Sequence, residues 1–182
     1  MTVLLKALNS SVKPIVTVVR GSCVGIAFTY QSLVDFCYCG PDALFSTPFM
    51  KSYQSPEGSS TLYFPQMLGP RLGYEALMLD KPISARKAVS VGFANEVIEE
   101  LKDEPDWFDI KKVPAIGKLL DTDLFTLTNC KRLLNQAKPN IDELLQREGE
   151  TLISKWMRPD FEENMANYIQ SIFAEKEKKA KL

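Results

Sequence analysis

Hydrophobic positions along the chain change period several times, and each change marks a predicted element. Thr2 to Ser10 carries Val3, Leu4, Leu5 and Leu8, a short helical stripe that ends in polar residues before Lys13-Pro14. Pro14 to Val19 is a β-branched run and predicts a buried strand, stopped by Arg20-Gly21-Ser22. Gly25 then opens an apolar stretch through Val34, with Tyr30, Leu33 and Val34 at helical spacing. Strand, glycine-bearing turn and helix follow one another, the first half of a crossover unit. Asp35 to Cys39 and Ala43 to Ser46 read as two short strands around a Gly40-Pro41-Asp42 turn.

A loop is expected from Pro48 to Gly58, ending in Ser55-Pro56-Glu57-Gly58. From Ser59 the period becomes helical, through Leu62, Phe64, Met67 and Leu68. After Gly69-Pro70 it resumes with Tyr74, Leu77, Met78 and Leu79. Ser84 is the predicted N-cap of a helix over Ala85 to Val91, closed by Gly92. Ala94 to Ile98 predicts a last strand, and the charged stretch Glu99 to Asp109 a solvated loop or helix start. The C-terminal third is helical by pattern. Asn140 with Glu143 forms a capping-box-like start for a helix bearing Ile141, Leu144, Leu145, Leu152 and Trp156. Asp160 with Glu163 repeats the device for a helix with the stripe Phe161, Met165, Ile169, Ile172 and Phe173. These two helices are expected to bury one face on the body and another on a neighbouring subunit.

Composition narrows the chemistry. A chain of 182 residues suits one domain with one core. Twenty-two basic against 23 acidic side chains leave a net charge of -1, so no global field recruits nucleic acid or an anionic membrane. Histidine is absent, which removes the commonest general base and metal ligand together and leaves proton transfer to Asp, Glu, Lys, Tyr or Cys. No metal site is expected. Cys23, Cys37, Cys39 and Cys130 contain no C-x-x-C pair, and buried free thiols in a reducing compartment are expected. No apolar run reaches bilayer length and the first residues lack the order of a secretory signal. The expectation is a protein neither membrane-spanning nor exported.

Two places can carry chemistry. A strand running into Gly21-Ser-Cys-Val-Gly-Ile26 and then a helix leaves backbone N–H groups free at a helix N-terminus, where an anion or oxyanion can bind. Read locally, it is more simply a tight strand-to-helix turn without a ligand. Glu57, between Pro56 and Gly58 and ahead of an apolar helix, is on local sequence a helix cap or a placed base.

The two places gain weight together, because the chain resembles the crotonase (enoyl-CoA hydratase/isomerase) superfamily over nearly all its length. Lys13 to Ile26 is similar to that family's K-P-[VI]-[IV]-A-x-[VI]-x-G-x-[AC]-x-G-[GA] strand and turn. Asp35 to Cys39 and Ala43 to Pro48 are similar to its following D-x-x-[YI]-[AC] and A-x-F-x-x-P strands. Leu68-Gly-Pro-Arg71 and Ile83 to Val97 resemble its x-A-x-x-A-x-x-x-G-[LF]-[VA]-[ND]-x-V signature. The fold implied is α/β, a crotonase-like spiral of strand-strand-helix units with C-terminal helices. Residues 1–98 would form a partial core, and residues 99–182 the helical, trimer-forming region of the same domain.

Ser55-Pro-Glu-Gly58 resembles the peroxisomal Δ3,Δ2-enoyl-CoA isomerase branch, in which the glutamate of that motif is the base. Hydratases carry two glutamates instead, at positions that hold Thr29 and Phe49 here. The resemblance therefore implies isomerisation of a 3-enoyl-CoA. The thioester carbonyl would rest against the Ile26 amide, and Glu57 would carry a proton from C2 to C4. Gly25, Phe28, Phe49 and Leu62 would contact the substrate, with Phe64 a further candidate wall. Coenzyme A enters as part of the substrate and no separate cofactor is implied.

Three further expectations come with the family. Crotonase-type chains begin with strands and an S-A-G-x-D-like loop that completes the oxyanion hole, and this sequence starts in the helix after that loop, so the domain is expected to be N-terminally truncated. A catalytically weak acyl-CoA-binding or assembly subunit is the competing function, with hydration a disfavoured third. The chain ends in Ala180-Lys181-Leu182, which is similar to the S-K-L address and implies the peroxisomal import receptor as a partner and a peroxisomal matrix location, while the family's C-terminal helices imply a homotrimer or dimer of trimers.

Overall fold

The β-branched run forms β1 (Val16–Val19) and the next polar-apolar-polar triplet forms β2 (Ser22–Val24), each too short to make a sheet alone. The structure is a computed structural model that describes residues 2–102 and 109–180. After β2 the chain turns at Gly25 into α2 (Ile26–Thr29), which tightens into a 3₁₀ turn over Tyr30–Leu33. Val34 is already extended, with ψ of 167°. The chain then returns as β3 (Phe36–Cys39), parallel to β1 with Val16 opposite Phe36 and Val19 opposite Cys39. β4 (Leu44–Ser46) lies parallel to β2.

The remaining elements are α3 (Ser60–Met67), α4 (Pro70–Met78), β5 (Ile83–Ser84), α5 (Ala85–Ser90) and β6 (Glu96–Val97). Strands thus divide between two three-stranded sheets, ordered β1-β3-β6 and β2-β4-β5, with β5 the antiparallel member. Successive strand pairs cross the corner between them. At that corner Gly21, at φ +59°, gives its N–H to the Asp42 carboxylate at 3.1 Å. Two strands and a helix per turn make the predicted spiral.

Three apolar clusters hold the body. The first fills the space between sheets and helices with Phe28, Phe45, Phe64 and Phe93, whose ring centroids lie 4.5 to 6.0 Å apart in tilted or edge-on pairs, the arrangement aromatic quadrupoles favour. The second joins Leu5 of α1 (Thr2–Ser10), Leu33, Ile141 and Leu145, with Ile26 and Leu62 packed against it. The third joins Tyr38, Ile98, Leu101 and Val113. Four more helices follow: α6 (Pro114–Asp121), α7 (Leu124–Gln136), α8 (Asp142–Trp156) and α9 (Phe161–Ala180). Lys131 of α7, buried, ties that helix to Asp35 at the head of β3, while Asp35 also accepts the Ile15 amide at 2.8 Å.

Several expectations are corrected. The Gly21–Ile26 segment is not wholly a turn, because Ser22–Val24 finds a parallel partner in β4. The two strands expected around Gly40-Pro41-Asp42 are present, and they belong to different sheets. The predicted strand Ala94–Ile98 shrinks to two residues, since Phe93 and Ala94 still donate to the Ala88 carbonyl at the end of α5. Asn140 is not the N-cap of α8, which is Ile141; it lies one residue earlier and accepts the Asp142 amide at 2.9 Å. The Asp160 carboxylate is instead taken by Arg158, at 2.8 and 2.9 Å, and by the Asn164 side chain. Ser84 caps α5 as predicted, and Gly92 follows it at φ +78°. Of the charged stretch, Glu99–Lys102 is a 3₁₀ turn and residues 103–108 lie outside the described residues, as do Lys181 and Leu182 of the tail.

Candidate active site

The Pro48–Gly58 loop has no repeating hydrogen-bond pattern, so its shape depends on contacts with other elements. Asp80, beyond the end of α4, accepts the amides of Met50 and Lys51 at 3.0 and 2.8 Å and fixes the start of the loop. Inside it the Ser52 hydroxyl donates to the Pro48 carbonyl and the Gln54 amide to that of Phe49. At its end Gly58 and Ser59 both take positive φ, +68° and +65°, and turn the chain into α3.

Only glycine fits at position 58. A Cβ there would lie 2.2 Å from Thr29 Oγ1, 2.9 Å from Thr29 Cβ and 3.1 Å from Ile26 Cδ1. The residue after the candidate base is therefore pressed directly on the first turn of α2. That contact sets the backbone just after Glu57 against the side chains of α2, the helix that Ile26 opens. Thr29 is fully buried beneath it, with its hydroxyl directed to the Ile26 carbonyl at 3.3 Å.

The α2 end is held by its own bonds. Gly25 donates to the Ser46 carbonyl at 2.9 Å, and its carbonyl accepts the Phe28 and Thr29 amides at 2.9 and 3.0 Å. The Ile26 and Ala27 amides open the helix, where no preceding helical carbonyl exists to accept them. Gly25 itself sits at φ +61° with nothing within 4 Å of where a Cβ would point, so the approach on that side is open.

Glu57 is half-buried, and its carboxyl is pushed above its ordinary value of 4.5, first by burial and then by the nearby charge of Glu148. Glu148 comes from α8. It is itself buried, and accepts the Ser59 amide at 2.8 Å on one oxygen and the Thr61 amide and hydroxyl at 3.1 and 2.6 Å on the other. A cavity of about 300 Å³ opens beside this contact, lined among others by Ser55, Pro56, Thr61, Arg147 and Glu148.

The predicted site residues separate into two groups. Ile26 and Leu62 are partly buried and share the second apolar cluster, beside the Glu57 loop. Phe28 and Phe49, 0% and 3% exposed, sit in the first cluster with Phe64, so they are packed core behind the site. Glu148 and Thr61 were not among the predicted residues. The signal for Glu148 was available: it stands four residues after Leu144 and four before Leu152, a carboxylate on an otherwise apolar helical stripe.

Comparison with known proteins shows the family. Residues 1–168 match the family model described as enoyl-CoA hydratase/isomerase. Human enoyl-CoA delta isomerase 2 is 39% identical over 158 residues, covering 86% of this chain and 39% of that protein. Mouse peroxisomal enoyl-CoA delta isomerase 3 is 40% identical over 100 residues, covering 54% and 32%. This chain thus spans at most about two fifths of these relatives. An enoyl-CoA hydratase structure from Mycobacterium avium subsp. paratuberculosis K-10 superposes with a TM-score of 0.81 over 92% of this chain and 67% of its own, and at 22% identity it speaks to the fold alone. Two sheets wound as strand-strand-helix turns, a glycine turn into a short helix, and a match running through nearly the whole sequence have one common explanation: the chain belongs to the enoyl-CoA hydratase/isomerase, or crotonase, family.

Proposed function

We propose that this chain carries the proton-transfer site of an enoyl-CoA isomerase, which converts a 3-enoyl-CoA to the trans-2-enoyl-CoA. The observation that carries the reading is the seating of Glu57: one half-buried carboxylate, made more basic by its surroundings, in a loop whose next residue rests on the helix opened by Ile26. Glu57 as carboxylate takes the C2 proton. The electron pair moves through the thioester to give a dienolate, whose oxygen is met by the Ile26 amide. Glu57 then returns the same proton at C4, leaving the double bond at C2–C3. Nothing is consumed, so one base suffices, and a carboxyl raised toward the working pH serves both directions of transfer.

The lack of a carboxylate at either hydratase position supports isomerisation over hydration. Thr29 and Phe49 occupy the two hydratase positions, and both are buried, so neither site is available to activate water. Ile26 and Leu62 are the apolar neighbours proposed to meet the acyl chain near C2. Phe28 and Phe49 support the site from behind. The proposal includes no cofactor other than the coenzyme A of the substrate.

The exposed apolar side chains Leu124, Phe125, Leu133 and Leu134 on α7 and Ile153, Trp156 and Met157 on α8 support a trimer, which sedimentation would measure. Import through Ala180-Lys181-Leu182 and a peroxisomal matrix location are part of the same proposal. Delivery of a 3-enoyl-CoA should produce the ultraviolet absorbance of the conjugated thioester. Glu57→Gln should lower kcat by at least about 10²-fold, the usual worth of a positioned base. Equal rates in both proteins would reject the assignment.

A further inference from the structure

We propose that Glu148 is a positioning residue for Glu57: its carboxylate clamps the backbone just after the base and sets a second negative charge beside it. This inference rests on the isomerase reading for its catalytic consequence, but not for its geometry. Glu148 lies 89 residues from Ser59 in sequence, on a different helix, and reaches the start of α3 from the side.

The clamp is unusually complete. Ser59 is a non-glycine residue at φ +65°, a conformation that L side chains avoid, and it is fully buried. Its hydroxyl, like those of Ser55 and Ser60, meets no partner among the described residues. No side chain of the loop itself therefore stabilises the turn. What does is Glu148, which accepts two main-chain amides and one hydroxyl on its two oxygens. Charge-assisted bonds of this kind are about twice as strong as neutral ones. With Gly58 pressed on Ile26 and Thr29 and Glu148 holding Ser59 and Thr61, the backbone directly after residue 57 is held at two anchors.

The second consequence is electrostatic. Burial pushes both carboxyls upward, and hydrogen bonds oppose the rise only for Glu148. Three donors stabilise an anion at Glu148, so a proton shared by the pair resides on Glu57. The other titratable and charged groups on the elements packed here do not displace this balance. Lys6 of α1 pairs with Asp142 at 3.0 Å on the exposed side, the Arg147 Nε is directed to the Glu143 carbonyl, and the buried Tyr63 hydroxyl is neutral, held above its ordinary value by burial. Tyr30 and Glu150 also lie on these elements, and the chain's terminal ammonium draws the Glu57 carboxyl back down by less than burial and Glu148 raise it.

The test combines a proton readout with kinetics. Carbon-13 NMR of labelled glutamate carboxyls, with the Glu57 signal identified by its loss in Glu57→Gln, should show the Glu57 midpoint move to lower pH in Glu148→Gln, and the acid limb of the kcat profile should move with it. Glu148→Ala, which also removes the clamp, should lower kcat by up to about 10²-fold with little change in KM, as for a misplaced catalytic group, and Gln should recover part of that loss. Thr61→Val deletes one donor to Glu148 and should shift the Glu57 midpoint in the same direction by less, which keeps the proposal testable if Glu148→Gln does not fold. A Glu57 midpoint unmoved in the folded variants overturns the proposal. A moved midpoint in a protein that isomerises nothing leaves Glu148 as the partner of Glu57 and removes the isomerase reading instead.

Discussion

Replacing Gly58 by alanine tests the contact on which the site is built. Two costs can be worked from the structure. The backbone sits at φ +68°, which charges a non-glycine residue about 1–2 kcal/mol. The new Cβ would fall 2.2 and 2.9 Å from Oγ1 and Cβ of Thr29, well inside the ~3.5–4.0 Å of a comfortable contact. Thr29 is fully buried and directed to the Ile26 carbonyl, so it cannot swing into solvent. Overpacking of a closed site costs about 1–3 kcal/mol. The sum is about 2–5 kcal/mol, or roughly 4–20 °C in Tm for a domain of this size. Urea titration with an unchanged slope, together with thermal melts, reads the loss. Thr29→Ala removes the nearest atom, so the double variant should lose less than the two single losses added, while the φ cost remains. A Gly58→Ala protein within about 0.5 kcal/mol of the parent, or additivity within that margin, would show that the loop does not rest on α2.

Two other predictions probe the frame around the site. Burial pushes the thiols of Cys23, Cys37 and Cys39 up to about 12, 11 and 12, whereas Cys130 is exposed. At pH 8 a thiol reagent should therefore modify one cysteine per native chain and four after denaturation. Because deprotonation is opposed at the three buried positions, raising the pH to about 9 should not release them, since an ordinary thiol titrates near 8.5; fast modification of two or more would contradict this packing. Asp35→Asn leaves the Lys131 ammonium buried without its counter-ion and should cost about 3–5 kcal/mol in a denaturant melt, while Lys131→Met with Asp35→Asn should recover most of it; an Asp35→Asn loss below about 1 kcal/mol would show the pair to be solvated.

What the sequence displayed was periodicity and motif, and those survive best where an element is long or its ends are chemically marked. The α1 stripe, the Ser84 cap, Gly92 and the strand Val16–Val19 all follow from local residues. β2 did not, because three residues between two glycines carry too little alternation to separate a strand from a turn, and only its pairing with β4 makes it one. The assignment of neighbouring strands to different sheets was invisible for the same reason, since a corner at Gly21 or at Gly40-Pro41-Asp42 has the composition of a hairpin turn. At the site, the motif around Glu57 and the turn before Ile26 were both readable. Their contact was not, because the atoms that join them are a missing Cβ at position 58 and the buried hydroxyl of Thr29. Phe28 and Phe49 were read as walls because aromatic residues near a motif look alike whether they face a cleft or a core. Burial decided between the two.

The placement of Glu148 explains why the base can stand on irregular backbone at all. Two successive left-handed residues, one of them a serine, are a costly way to enter a helix, with strain at such positions on the order of 1–3 kcal/mol. Hydrogen bonds to a charged group contribute about 1.5–3 kcal/mol each, so the donors gathered by Glu148 are enough to offset that strain. The loop itself supplies no such bonds to its last turn. The geometry of Glu57 is therefore determined by α8, an element outside the strand-strand-helix spiral, through a side chain that interrupts an apolar stripe. A helix that would otherwise serve only to cover the second apolar cluster thus also holds the backbone after Glu57 in place.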